Sequence, residues 1–428
     1  MTRGLTLAQM LLVGATAFDG STINIRIEGE RIAAMGPSLA RLDEEVVDLR
    51  GYLILPAFAE PHAHLDKAFL ADRVTNPSGD LLGAIQAMQQ MSSSFTPADI
   101  VERAERAARL LVANGASLIR SHVDTTSEQG LRSIEALLEV RQRLWGIVDI
   151  QIVALTGWPI TGRAGADNRA LLVTALDAGA DLVGGCPHLD DDPAGANTVL
   201  LKIAAEAGVG VDLHTDETLD PAMLSLEDLA QRVTTNEYEF SVTASHCVSL
   251  GVQDVDTQQR VAALVAHAGI GVVALPQTNL FLQGRSHQQA MPRAVTAVAA
   301  LQRAGVEVAA GGDNLQDPFN PLGRADPLET AGLMIATTHL LPEEALDTVS
   351  SAAHRVLGGE GGELRVGGRA DLVAIPATSV REAIAFGPPG RYVWHQGVLV
   401  STPTNTVTQN MATPWVSSEL SDLGFENA

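Results

Sequence analysis

Eight short runs of strand-forming residues alternate with Ala/Leu-rich segments of helical period through the middle of the chain, and this alternation constrains the fold more than any other feature. The runs lie at residues 53–58, 117–121, 149–155, 181–185, 210–213, 241–245, 270–274 and 307–310. Eight strands with intervening helices are what a (β/α)8 barrel of the TIM type requires. A doubly wound open sheet is the alternative. No Gly-x-Gly-x-x-Gly follows the first run, so a dinucleotide-binding fold has no support.

Both ends of the chain consist of short strand-like stretches separated by turn residues. The stretches lie at 9–17, 23–28, 31–35, 45–49, 371–376 and 392–400, with a Gly-Pro-Pro-Gly turn at 387–390. We expect them to form one small β-sandwich domain built from both termini. The predicted organisation places residues 1–50 and 361–428 in this domain and residues 51–360 in the barrel. The polar tail beyond Ser401 carries no assignment.

The chain is strongly acidic, with 51 Asp and Glu against 28 Lys and Arg and a formal charge of −23. Nucleic acids and anionic membrane surfaces attract basic proteins, so we expect neither as a partner. No apolar run reaches the length of a transmembrane helix. A small molecule is the expected partner. The sequence leaves open whether the chain forms a homo-oligomer, because no segment indicates an interface.

The two cysteines, Cys186 and Cys247, are far apart and do not form a disulfide framework, which favours a reducing cytoplasm. Residues 3–17 loosely resemble a signal peptide, with Arg3 ahead of an apolar run. Gln9 interrupts that run and only one positive charge precedes it. We therefore interpret the segment as a retained strand and predict a cytoplasmic protein.

Histidines and one aspartate follow the predicted strands. His62 and His64 form a His-Ala-His pair after the first run, and residues two apart in extended chain point to the same side. His214, His246 and Asp313 follow the fifth, sixth and eighth runs. Taken singly, each is more typical of a hydrogen-bonded loop residue. A barrel, however, gathers its strand ends at the face where active sites lie, and three imidazoles with one carboxylate suit Zn²⁺ or Fe²⁺.

The lysines argue for a single metal ion. Two-metal barrel hydrolases often use a carboxylated lysine after the fourth strand, and the only lysines here are Lys67 and Lys202, neither of them at that place. His188, which follows the fourth run, is a spare ligand or a pocket or structural residue. The zinc signature of the cytidine deaminases, His-x-Glu with Pro-Cys-x-x-Cys, is absent.

Six sequence blocks together resemble the cytosine deaminase branch of the amidohydrolase superfamily. They occur in that family's order at residues 61–66 (PHAHLD), 121–124 (SHVD), 214–217 (HTDE), 245–247 (SHC), 312–314 (GDN) and 317–323 (DPFNPLG). The resemblance implies a metal held by His62, His64, His214 and Asp313. It also implies that Glu217 is the proton shuttle, that His246 orients the attacking oxygen, and that Asp313 accepts a proton from it.

The implied activity is that of a deaminase: metal-bound hydroxide attacks the amine-bearing carbon of a nitrogen heterocycle such as cytosine, another pyrimidine or a triazine. Two departures put cytosine itself in question. The loop at 155–160 has no glutamine to contact a pyrimidine, and Asn314 stands where the family often has a second aspartate. The residues we expect to contact substrate are Lys67, His122, Asp124, Trp158, Asn314 and Phe319.

Several of these side chains have a second interpretation. Trp158 either stacks on a planar ring or belongs to the core, and Lys67 either binds the substrate or pairs with Asp66. An amide or cyclic-amide hydrolase on the same scaffold is the alternative function. A non-catalytic barrel is the least favoured one, because the ligand set and Glu217 are all present.

Overall fold

The computed structural model describes residues 9–403. Residues 1–8, where the signal-peptide-like segment begins, and the tail at 404–428 lie outside the described residues. Within 9–403, no helix combines the length and the apolar character needed to cross a membrane. The strands are β1 (Gln9–Thr16), β2 (Thr22–Glu28), β3 (Arg31–Gly36), β4 (Glu45–Asp48), β5 (Leu53–Pro56), β6 (Phe58–Ala63), β7 (Ala116–Thr125), β8 (Asp149–Thr156), β9 (Leu182–Gly185), β10 (Gly210–Thr215), β11 (Val242–His246), β12 (Gly271–Ala274), β13 (Val308–Ala310), β14 (Leu372–Ile375), β15 (Tyr392–His395) and β16 (Val398–Ser401).

The helices lie mainly between the strands of the middle segment. They are α1 (Leu81–Met91), α2 (Pro97–Ala113), α3 (Arg132–Arg143), α4 (Ala166–Ala178), α5 (Pro193–Ala207), α6 (Ser225–Thr235), α7 (Val255–His267), α8 (Pro276–Leu282), α9 (Val298–Arg303), α10 (Pro327–Thr338), α11 (Pro342–Val349), α12 (Ser351–Leu357) and α13 (Val380–Phe386). Short 3-10 turns occur at Ser92–Ser94, Pro187–Leu189 and Val248–Val252.

Strands β6 to β13 pair in sequence order, all in parallel, and form the predicted (β/α)8 barrel. A bridge between Ala63 and Asp313 closes it. At this seam Asp313 N donates to His62 O over 2.9 Å, and His64 N donates to Asp313 O over 3.2 Å. The chain therefore closes its barrel at the residues that the sequence marks for metal binding.

The first barrel strand does not lie where the sequence analysis placed it. Residues 53–56 of the predicted run 53–58 form β5, which pairs antiparallel with β14 in the other sheet. The barrel strand is β6, and the chain crosses between the sheets at Ala57, whose N–H bonds to Asp371 O. Apolar content misled the prediction, because β6 contains Glu60, Pro61 and His62 and resembles a polar loop although all six of its residues are buried.

The second sheet combines strands from both ends of the chain in the order β16-β15-β14-β5-β1-β2-β3, with β4 paired to β1. Alternate apolar side chains of β1 and β2, among them Leu12, Ile25 and Ile27, pack around the buried Trp394 of β15. This arrangement confirms the predicted small β-domain from both termini. The limits at residues 50 and 360 stay a prediction.

Helix α2 illustrates why the segments between strands become helices. Thr96 caps it by accepting a hydrogen bond from Asp99 N, and Pro97 occupies its first turn, where a missing N–H costs nothing. Its buried face packs against the barrel core. The chain then turns through Gly115 at φ +105°, where an added Cβ would lie 2.9 Å from both the Phe58 ring and Val373. Only glycine allows the two sheets to approach so closely at this turn.

A polar cluster, half-exposed at Asp149, joins the small domain to the barrel. His395 of β15 lies 3.5 Å from Asp149 of β8 and 3.4 Å from Asp371, and Arg369 pairs with both carboxylates. Burial alone would lower the pKa of His395, but the two carboxylates outweigh it and raise the pKa to about 9. The imidazole is therefore charged at neutral pH and links the two domains.

We expect this cluster to make stability depend on pH in the alkaline range. The folded pKa of His395 exceeds its ordinary value of 6.5, so its contribution is complete below about pH 6.5 and is lost as the pH rises through 9. The midpoint of urea denaturation should fall between pH 7 and 10 in the wild type and change less in His395→Gln. The free energy of unfolding of that variant at pH 7 should also be about 1–3 kcal/mol lower than that of the wild type. Parallel pH profiles for the two proteins would contradict this role.

Candidate active site

Four side chains converge at the carboxyl ends of the barrel strands. His64 Nε2 lies 3.3 Å from Asp313 Oδ1 and 3.2 Å from His214 Nε2, and His62 Nε2 lies 3.5 Å from Asp313 Oδ1. All four residues are buried. His62 Nε2 and both Asp313 oxygens have no hydrogen-bond partner among residues 9–403. The structure thus brings together all four residues predicted as metal ligands.

The protonation state of these imidazoles suits a cation. Burial, helped by nearby positive groups, keeps the pKa values of His62, His64 and His214 well below their ordinary range, so the rings are neutral. Donor atoms of His62, His64 and Asp313 all lie within 4.8 Å of one another. Neutral nitrogens and an unpartnered carboxylate at this spacing fit a divalent metal ion.

Glu60 holds the seam beneath these residues. Its carboxyl group accepts a hydrogen bond from Gly312 N at 2.9 Å and another from His62 N at 3.2 Å, and so ties β6 to the segment that carries Asp313. Burial raises the pKa of Glu60 to about 8. Asp313 itself has φ +60°, in the left-handed region. Strained backbone of this kind persists where the surroundings fix it, and here Glu60 and the seam do so.

Hydrogen bonds to the far side of two rings set their tautomers. His64 Nδ1 donates to the carbonyl of His122 over 3.0 Å. His62 Nδ1 lies 2.9 Å from Ser245 Oγ, which donates in turn to Asp212 Oδ1 over 2.8 Å. Because the Nδ1 atoms carry the protons, the lone pairs of both Nε2 atoms face the shared centre.

His122 supports this centre from behind. Its ring stacks on that of His62 with centroids 3.8 Å apart, and its Nε2 lies 3.5 Å from Asp212 Oδ1. Arg120 Nη1 donates to the other oxygen of Asp212 over 2.8 Å. His122 therefore lies against the ring of His62 rather than on the cavity wall, unlike the other side chains predicted to contact substrate.

Glu217 and His246 lie beside the four residues and share one partner. Asn279 Nδ2 is 3.1 Å from Glu217 Oε1 and 3.2 Å from His246 Nδ1. Burial, followed by the charge of Asp313, raises the pKa of Glu217 well above its ordinary value, so this carboxyl group can carry a proton at neutral pH. Glu217 and His246 lie where the sequence analysis expected them.

The backbone directs both side chains inward. Asp216 accepts hydrogen bonds from Ser225 N and Leu226 N at 2.9 Å each, which fixes the turn that carries Glu217 to the start of α6. His246 has φ +70° and ends β11. Its Nε2 has no partner in the described part of the chain.

A cavity opens above these residues, with about 830 Å³ of empty space when the open solvent at its mouth is included. Of the predicted substrate contacts, it is lined by Lys67, Asp124, Trp158, Asn314 and Phe319. Lys67 Nζ lies 2.8 Å from Asp124, 3.1 Å from His64 Nδ1 and 5.5 Å from the centre of the Phe319 ring. The lysine thus pairs with Asp124 rather than Asp66.

Trp158 lies at the rim of the cavity, with 36% of its surface exposed, so it is not a core residue. Asn314 Nδ2 donates to Asp317 Oδ2 over 2.7 Å, and the same carboxylate accepts from the backbone of the following turn. Burial raises the pKa of Asp317 to about 7. These bonds fix the loop that brings Phe319 to the cavity.

Several residues of the site were missed by the sequence analysis. Helix α1 and Gln129, from the turn after β7, line the cavity. Asn279 of α8 contacts Glu217 and His246. The only available signal was the position of Gln129 and Asn279 shortly after barrel strands, where functional residues concentrate. Nothing local marked α1 as a cavity wall.

A parallel eight-stranded barrel with three histidines and an aspartate at the carboxyl ends of its strands defines the class of metal-dependent barrel hydrolases. The chain belongs to the amidohydrolase family, whose sequence model matches residues 93–401.

Similar proteins and structures indicate more closely where the chain lies within this class. The chain is 35% identical over 361 residues to a pterin deaminase of Rhizobium rhizogenes, a match that covers 82% of each chain. The 5-methylcytosine deaminase of Klebsiella pneumoniae superposes with a TM-score of 0.85 at 29% identity, covering 94% of this chain and all of the other. N-isopropylammelide isopropylaminohydrolase of Burkholderia multivorans gives a TM-score of 0.81 at 32% identity, covering 93% and 99%.

These matches confirm the predicted class of enzyme, a hydrolase acting on C–N bonds, and its relation to the cytosine deaminase branch. They also confirm a deaminase function on a nitrogen heterocycle and do not favour the amide-hydrolase alternative.

We expect Ser245 to influence metal binding although it is not a ligand. Ser245→Ala would remove the group that bonds to His62 Nδ1, so the ring would lose its fixed orientation. The affinity for Zn²⁺, measured by competition with a chelator, should fall about 10- to 100-fold. Ser245→Thr retains the hydroxyl group and should stay near the wild-type value. Unchanged affinity in the alanine variant would exclude this orienting role.

Proposed function

We propose that this chain catalyses the hydrolytic deamination of an amino-substituted nitrogen heterocycle with one Zn²⁺ or Fe²⁺ ion held by His62, His64, His214 and Asp313. The observation that carries the proposal is the convergence of the four residues, with His62 Nε2 and both Asp313 oxygens unpartnered within residues 9–403, beside the buried Glu217, whose pKa burial raises well above its ordinary value. When bound, the ion supplies the Lewis acidity that brings the pKa of a water molecule toward neutrality. A single ion is supported by the end of β9, where Cys186 and His188 stand and no lysine is present.

The protein residues then divide the proton transfers. Water adds to the carbon that bears the amino group, and Asp313 takes the proton that the water loses. Glu217 gives a proton to the adjacent ring nitrogen; its Oε1 is engaged by Asn279, so Oε2 is the atom free to carry that proton. His246, with its Nε2 unpaired, orients the attacking oxygen. The hydroxyl group of the adduct then gives its proton through Glu217 to the amine as the carbonyl forms, the C–N bond breaks and ammonia leaves; the water proton held by Asp313 restores Glu217.

The residues that line the cavity support a substrate larger than cytosine. They include Glu217, Trp158 and, from α1, Leu81, Ile85 and Met88. Lys67 and Asn314 are placed to contact polar groups near the reacting carbon. The 35% sequence identity to a pterin deaminase also supports a substrate with two rings. We therefore infer that the substrate is an amino-pteridine rather than a single-ring pyrimidine or triazine.

The setting of the enzyme is proposed on simpler grounds. Free Cys186 and Cys247 favour a reducing compartment such as the cytoplasm. The charge of −23 supports a small molecule rather than a nucleic acid as the partner. Association into a homo-oligomer stays a prediction.

The test is ammonia release from pterins, amino-pyrimidines and amino-triazines, with the metal content of the protein quantified. Turnover of at least one compound at about one metal ion per chain is the expected result. No release from metal-loaded protein, together with hydrolysis of cyclic amides, would overturn the proposal in favour of the alternative function. Failure to retain Zn²⁺ or Fe²⁺ after reconstitution would refute the ligand assignment.

Replacing Glu217 by Gln separates proton transfer from metal binding. The variant should keep its metal ion, because Glu217 is not among the four proposed ligands, while kcat falls about 10²- to 10⁴-fold. Asp313→Ala is the matched comparison and should lose both metal and activity. Wild-type kcat in Glu217→Gln would remove Glu217 from the reaction, and a fully metal-loaded, active Asp313→Ala would do the same for Asp313.

A further inference from the structure

Asn279 of α8 touches the proposed proton shuttle without reaching the cavity. Its side chain is fully buried, and its Nδ2 donates to Glu217 Oε1 over 3.1 Å. Glu217 lines the cavity, whereas Asn279 does not. Any effect of Asn279 on the reaction must therefore pass through the side chains that it holds.

His246 fixes the direction of the Asn279 carboxamide. His246 Nδ1 lies 3.3 Å from Asn279 Oδ1 and 3.2 Å from Asn279 Nδ2. Because Oδ1 is buried and His246 Nδ1 is its only donor within residues 9–403, that nitrogen carries a proton and donates it to Oδ1. The Nδ2 group, which can only donate, is then left to Glu217.

This direction makes the two oxygens of Glu217 unequal. Oε1 accepts a hydrogen bond from Asn279 Nδ2, so the proton of the carboxyl group belongs on Oε2. Burial and the charge of Asp313 raise the pKa of Glu217, whereas the bond from Asn279 and the charge of Lys67 lower it. The bond from Asn279 thus stabilises the carboxylate that forms when the proton is given away.

Helix α8 also holds Glu217 at a second point. Gln283, which ends α8, donates from Nε2 to Glu217 O over 3.0 Å. The backbone N–H of Gln283 donates to Asn279 O over 3.0 Å, and the N–H of Asn279 donates to Leu275 O over 3.2 Å. The carboxyl group and the backbone of Glu217 are therefore both bonded to one short helix, the kind of second support that a precisely placed catalytic group needs.

We propose that Asn279 is a positioning residue for proton transfer, whose carboxamide, held by His246, orients Glu217 so that Oε2 faces the substrate. Oε2 then delivers the proton to the ring nitrogen and later carries the hydroxyl proton to the leaving amine. Without Asn279 the carboxyl group would present either oxygen, and burial would hold its proton more tightly. This inference rests on the proposed function.

Asn279→Leu tests the role, because it removes the amide and keeps a side chain of similar shape. With the best substrate of the panel, kcat should fall about 10- to 100-fold, a part of what positioned proton transfer contributes. KM should stay within about threefold of the wild-type value, since Asn279 does not line the cavity. Metal content should be unchanged, because the side-chain bonds of Asn279 go to Glu217 and His246 and to none of the four proposed ligands.

The same substitution in Glu217→Gln separates positioning from a general effect on the fold. An amide at position 217 has no proton to deliver, so in that background Asn279→Leu should lower kcat by about threefold or less. Reaction with enzyme in excess over substrate makes these low rates measurable. A loss by the same factor in both backgrounds would overturn the positioning role, and so would a wild-type kcat in Asn279→Leu alone.

A control on the same helix and the wild type complete the design. Leu280→Ala changes an exposed neighbour of Asn279 that does not line the cavity, and it should keep a kcat near that of the wild type. Thermal unfolding checks that each variant is folded, and Asn279→Ala replaces the leucine variant in both backgrounds should that one fail. No ammonia release by the wild type from any member of the panel would refute the proposed function itself, whereas turnover by the wild type with equal losses in the two backgrounds would refute the role of Asn279 alone.

Discussion

The closing seam of the barrel is the interaction on which the site depends. Two backbone hydrogen bonds join Asp313 to His62 and His64, and the Glu60 carboxyl group binds both sides of the same seam. Because side chains alternate along a strand, a shift of one residue in this register would turn His62 and His64 away from the cavity. Barrel closure and the assembly of the proposed metal site are therefore one structural event, and the left-handed conformation of Asp313 is maintained by it.

Beneath the seam, the barrel interior is polar where an apolar layer would be ordinary. Arg120 pairs with Asp212, Asp212 accepts from Ser245, and Ser245 meets His62. Burying such charges costs stability, and a buried pair seldom stabilises more than apolar packing does. The network supplies orientation instead: it fixes the proton of His62 on Nδ1 and leaves Nε2 free.

The sequence alone was sufficient for the barrel, the two-ended β-domain and the convergence of His62, His64, His214 and Asp313, because strand periodicity and residues at strand ends are local features. It was insufficient for β6. This strand carries Glu60 and His62 inside the barrel, so its function removes the apolar pattern by which strands are recognised. The adjacent β5 has that pattern but belongs to the other sheet, since its partner β14 lies more than 300 residues away along the chain. Pairing over such distances has no local signal.

Residues that perform the reaction and residues that select the substrate differ in how they are placed. Glu217 follows β10 directly, and its position is set by the strand and by the cap that Asp216 makes on α6. Helix α1 reaches the cavity only through long-range contacts, such as that of Asn76 Nδ2 with Pro318 O at 3.1 Å, which ties the segment before α1 to the loop after β13. Loops that depend on such contacts can change without disturbing the barrel seam. The same arrangement of proposed metal ligands and proton donor can therefore serve different rings, with the loops and α1 around the cavity free to differ.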